Sequence, residues 1–150
     1  MSAIDFTDKP VKLIMENNIV SDIVYEGDLV KNNLKIILDK LDSTRKDPRD
    51  FFIVILERNT NKLKGIISAD ELIKMTRAYE KNNTIKFDPF CVKPLTVLYS
   101  ESIENMVKLF ESKKTIDIIL VINEEGQYMG KIKRTSLNKK INELIAMFAS

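Results

Sequence analysis

One phrase is written twice in this chain: Asp50–Leu56 reads DFFIVIL and Asp117–Asn123 reads DIILVIN, each an acid, three apolar residues and then Val-Ile. An internal repeat constrains the fold more than any single motif, because both copies must build the same supersecondary unit and then cover each other's apolar faces. The match extends outward. VYEGDL (Val24–Leu29) parallels LYSESI (Leu98–Ile103), and KLKGII (Lys62–Ile67) parallels QYMGKI (Gln127–Ile132). The copies differ in length at two places, the longer being the polar DSTRKDPRD (Asp42–Asp50), which reads as a lengthened loop.

Each copy has the same grammar. Val30, Leu34, Ile37, Leu38 and Leu41 recur at helical spacing in the first, as do Ile103, Met106, Val107 and Phe110 in the second. The apolar runs Phe51–Leu56 and Ile118–Ile122 are short, rich in β-branched residues and flanked by polar ones, which predicts strands covered on both faces. A second strand follows each turn. A closing helix carries Leu72, Ile73 and Tyr79 in the first copy and Leu137, Ile141, Leu144, Ile145 and Phe148 in the second. The expected class is α/β (α+β), with the unit β-α-β-β-α made twice and packed about a pseudo-twofold axis. Two related clefts would result, and a duplicated cleft is where a ligand is expected.

Composition narrows the function. At 150 residues with 44% hydrophobic and 31% charged residues, the chain is of ordinary globular type, and a net charge of +2 advertises neither nucleic acid nor membrane. There is no histidine, and the single cysteine, Cys91, lacks a base to activate it. No phosphate loop or paired metal-ligand spacing appears, so no catalytic residue, no metal and no required cofactor are expected. Asp5 and Asp8 interrupt the start, and no run approaches the ~20 apolar residues of a membrane span, so the expected location is cytoplasmic. Cys91 is read as a buried, inert thiol.

Apolar strand, turn, Gly-apolar-apolar-Ser/Thr-x-x-Asp and helix, in that order, resembles the CBS domain, and the tandem resembles a Bateman module. The resemblance places repeat 1 at residues 11–76, a linker at 77–86 and repeat 2 at 87–147. It implies a non-catalytic regulatory module that senses an adenosine-containing ligand (AMP, ADP, ATP or S-adenosylmethionine) in an inter-repeat cleft. It further implies a homodimer built largely from helical faces, and a regulated protein in trans. In that family the hydroxyl after the glycine segment contacts phosphate or ribose, and the acid three positions later takes the ribose hydroxyls. Carried over, GIISADEL gives Ser68 and Glu71, with Asp70 beside them, while GKIKRTSL gives Lys133 and Ser136. Asp50 and Asp117 stand at the cleft-facing strand starts, where a carboxylate opposes a triphosphate.

Each of these residues also has a plainer reading. Ser68 and Glu71 have the spacing of a capping box. Asp50 and Asp117 serve as solvated acids. Lys131, Lys133, Arg134, Lys139 and Lys140 fit phosphate contact or nucleic acid less well than a solvated face of the last helix. The alternative function is a ligand-free CBS-pair dimerisation scaffold, since neither acid position carries the family's Asp.

Overall fold

The computed structural model describes residues 8–17, 23–46 and 52–149. In chain order the elements are β1 (Glu16–Asn17), β2 (Ile23–Tyr25), α1 (Leu34–Lys46), β3 (Phe52–Leu56), β4 (Leu63–Ser68), α2 (Ala69–Lys81), β5 (Thr96–Leu98), α3 (Ile103–Ser112), β6 (Ile118–Ile122), β7 (Tyr128–Lys133) and α4 (Leu137–Ala149). Short 3-10 turns occupy Val11–Leu13, Val30–Asn33, Asp88–Phe90 and Arg134–Ser136. The fold is mixed α+β. The chain divides into two compact units, Ile19–Pro94 and Leu95–Ser150, the second also holding Met1–Asn18.

The twin phrases become β3 and β6, and their surroundings match strand for strand. In the first unit β2 pairs parallel to β3 and β3 antiparallel to β4, with a register shift between Ile55 and Leu56. In the second, β5 pairs parallel to β6 and β6 antiparallel to β7, with the shift between Val121 and Ile122. All five residues of β3 are buried, as a continuous apolar run requires. One face of the first sheet packs Val24, Ile53, Ile55 and Ile67 against Leu72, Met75 and Phe87. In the second, Ile119, Val121 and Ile132 meet Ile103, Met106, Phe110, Leu137 and Leu144.

Lead-in segments to each unit repeat as well, although their sequences, KPVKLIMEN and IKFDPFCVK, share little. Val11 N–H donates to the Glu101 carbonyl and Ile103 N–H to that of Lys9, while Phe87 N–H donates to Asp28 and Val30 N–H to Ile85. Val11 and Phe87 are both fully buried. Each segment then lies along a sheet edge: β1 pairs antiparallel with β7, and Val92 bridges Ile66.

Three expectations change. Residues 11–17 fall in the second unit rather than in repeat 1, because Val11 and Ile14 complete its core. The 77–86 linker is helical through Lys81, and Ile85 packs against the first core. Of the lengthened loop, Asp42–Lys46 continues α1, which runs 13 residues against 10 in α3. The α1 stripe is also only partly covered: Val30 and Ile37 are buried, but Leu34 is 40% and Leu38 65% exposed.

Candidate functional site

In the first unit β4 runs straight into α2, which makes Ser68 at once the last strand residue, paired with Phe52, and the helix N-cap, with extended backbone. Its side chain makes no capping hydrogen bond. Glu71 instead accepts from the Lys74 ammonium at 3.2 Å, one turn along the helix. The capping box is therefore not formed: the serine is held in the ladder while the glutamate turns toward Lys74. Asp70 lies exposed beside them in the first turn.

Val92 and Ile66 exchange both backbone hydrogen bonds, at 2.8 and 2.9 Å, so their side chains share a face, and Ser68, two residues along the strand, shares it too. Val92 is 39% exposed. This approach requires glycine at position 65, where a Cβ would overlap Cys91 Sγ and lie 2.8 Å from the Val92 carbonyl oxygen. Cys91 is half-buried, and that burial pushes its thiol up, which keeps it protonated and inert near neutral pH. The face thus offers an apolar pair and a hydroxyl, and the chain runs on from it into the free N–H groups of a helix start whose first turn carries Asp70 and Glu71.

The matching face of the second unit is chemically different. Glu16 opposes Lys131 in the β1–β7 register, and Lys133 reaches the Glu16 carboxylate at 3.7 Å. Lys131 is only 6% exposed. Ser136 donates its hydroxyl to the Lys133 carbonyl at 3.4 Å, and the Asp117 carbonyl accepts the Arg134 N–H at 2.8 Å. Asp50, its counterpart, lies outside the described residues.

Arg134 holds the end of α3. Its Nε donates to Ile116 at 2.9 Å and its Nη2 to the carbonyls of Phe110 and Lys113 at 2.8 and 2.7 Å, with the guanidinium 4.8 Å from the Phe110 ring centre. The expected solvated lysine face is corrected accordingly. Lys131 is in a strand between two others, Lys133 has an acid within reach, and Arg134 satisfies helix-end carbonyls, leaving Lys139 exposed and Lys140 half-buried.

Two further features of the first unit escaped the sequence. Lys64 contacts Asp88 at 3.1 Å and Glu26 at 3.4 Å, Gly27 N–H donates to Asp88 at 3.0 Å, and Arg58 pairs with Asp28. Burial alone would raise the Asp88 carboxyl, but the Gly27 amide and the Lys64 ammonium outweigh it and hold it below its ordinary value. The hydrogen bond to Asp88 raises Lys64 in turn. A groove of about 270 Å³ also opens between α1 and α2, lined by Leu34, Ile37, Leu38, Met75 and Tyr79.

No protein-family model and no curated protein matches the chain. Solved structures do. The CBS domain of a bacterial CNNM/CorC family Mg2+ transporter, in complex with ATP, superposes with a TM-score of 0.64 at 16% identity, covering 91% of this chain and 89% of that one. The fold is that of a CBS domain. CBSX2 in complex with AMP gives a TM-score of 0.66 at 16% identity, covering 91% and 98%. Protein MJ1004 from Mathanocaldococcus jannaschii gives 0.67 at 20%, covering 90% of this chain, which spans 60% of the length of that protein. Among the described residues of this CBS fold, no helix is long and apolar enough to cross a membrane, and no group of three His, Cys, Asp or Glu residues is placed to hold a metal ion.

Proposed function

We propose that the first unit binds an adenosine-containing ligand (AMP, ADP, ATP or S-adenosylmethionine) on the face shared by Val92, Ile66 and Ser68, with Glu71 reaching it from the helix start, and that the chain is a non-catalytic regulatory module. The observation that carries this reading is Ser68: it stands at a helix N-cap, yet its hydroxyl caps nothing. A ribose or phosphate oxygen is the natural partner for that hydroxyl and the adjacent N–H groups. Glu71 supplies an acceptor for ribose hydroxyls, and the Val92–Ile66 pair an apolar surface for a ring. The AMP and ATP complexes of CBSX2 and the transporter domain support the ligand class. With Asp70 and Glu71 both in the first turn, a ligand of low negative charge is favoured over a triphosphate.

The same reading takes the module as cytoplasmic and as acting in trans on a regulated protein. The exposed Leu34 and Leu38 and the groove beside them support a homodimer through helical faces. They equally favour the second reading, a dimerisation scaffold that binds no ligand. A thermal-shift screen of AMP, ADP, ATP and S-adenosylmethionine separates the two. A ligand at ~100 times its dissociation constant stabilises the fold by about 2.7 kcal/mol, whereas the scaffold shows no shift with any of the four.

A further inference from the structure

Val92 and Glu16 hold the same place in the two units. Each lies on the lead-in segment beside the glycine of β4 or β7, and each faces the residue next after that glycine: Val92 opposes Ile66, and Glu16 opposes Lys131. Two residues further on, Ser68 in the first unit corresponds to Lys133 in the second. Three positions that are Val, Ile and Ser in one unit are thus Glu, Lys and Lys in the other. The glutamate and the second lysine meet at 3.7 Å, with side chains only 28% and 21% exposed.

We infer that Glu16 closes the second unit's position to anionic ligands, so that the chain takes a single nucleotide, on the first unit; the identity of that nucleotide rests on the function proposed above. The Glu16 carboxylate already pairs with the Lys133 ammonium to which a phosphate oxygen would bind. It is tethered by β1, so its effective concentration there exceeds that of any free anion. An incoming phosphate would have to displace it while approaching a like charge. Glu16 is in this sense a specificity-determining residue. Ser136 offers ribose only a neutral hydroxyl oxygen, its proton being given to the Lys133 carbonyl.

The test is the stoichiometry of AMP binding by isothermal titration calorimetry, for the wild type and for Glu16→Val, which copies Val92, with Glu16→Gln as the variant of nearly unchanged shape. One equivalent per chain for the wild type and two for either variant is the expected result. Two equivalents for the wild type, or no gain for the variants, overturns the inference. The outcomes also stand apart from the proposed function. Zero equivalents rising to one on substitution upholds the closure while removing the first-unit site, and one equivalent in every protein does the reverse.

Discussion

Strand β1 lies against β7 only because residue 130 has no side chain. A Cβ at Gly130 would overlap the Glu16 carbonyl oxygen, with the Glu16 carbonyl carbon at 3.3 Å and Met15 Sδ at 3.1 Å. Met15 can turn away, but the Glu16 carbonyl is main chain in a paired strand. Gly130→Ala therefore has two routes. Either β1 lifts off, giving up a short ladder whose hydrogen bonds contribute about 1 kcal/mol each, or it stays and the overpacking costs roughly 1–3 kcal/mol. Both routes arrive near 2 kcal/mol, which for a domain of this size lowers the melting temperature by roughly 4–8 °C. Differential scanning calorimetry measures it. A Gly130→Ala protein that melts with the wild type would refute the close approach and, with it, the placement of Glu16 beside Lys133.

Arg134→Met should cost about 2–3 kcal/mol in urea denaturation, because one guanidinium serves two carbonyls at the end of α3 and that of Ile116 in the loop after it, and hydrogen bonds from charged groups are the stronger kind. A loss under about 0.5 kcal/mol, the range of an ordinary surface change, would remove that role. Asp88 gives a pH dependence of defined sign. Its carboxyl is depressed in the folded chain, so its contribution is present above the ordinary carboxylate range near 3.9 and is lost as pH falls from there through its folded value. Asp88→Asn should lower stability at pH 7 and flatten the acid limb of a pH–stability curve, and an unchanged limb would contradict the assignment.

The twin phrases made the sheets legible because a strand buried on both faces must be written as a continuous apolar run, and both runs became inner strands. The lead-in repeat was not legible. It works through main-chain bridges and one buried side chain, Val11 or Phe87, and those constraints leave KPVKLIMEN and IKFDPFCVK free to diverge. The signal that could have found it is the paired Gly65 and Gly130, whose missing side chains mark where another segment passes. Spacing misled at Ser68 and Glu71, because a capping box requires both side chains to turn back and Glu71 meets Lys74 instead. A side-chain cap does form at Ser102, whose hydroxyl accepts the Asn105 N–H at 3.1 Å while Glu101 takes the Ser102 amide and the Asn105 side chain. Those last two bonds hold the Glu101 carboxyl low. Charge patterning misled at Lys131 and Arg134, since a lysine inside a sheet and an arginine on helix-end carbonyls look in sequence like any basic face.

The central claim is that Glu71 takes the ribose of a ligand held by the first unit, and calorimetric titration of AMP into the wild type and Glu71→Gln tests it most directly. Gln keeps the length of the side chain and removes its charge. Glu71's ion pair with Lys74 is exposed at its lysine end and Gln can still accept from that ammonium, so the fold should lose under about 1 kcal/mol. Binding should weaken by about 1 kcal/mol or more, roughly fivefold, the difference between hydrogen bonds to a charged and to a neutral acceptor. Equal affinity of the two proteins for AMP, or no heat of binding from either, would contradict the claim and leave the dimerisation scaffold as the better account.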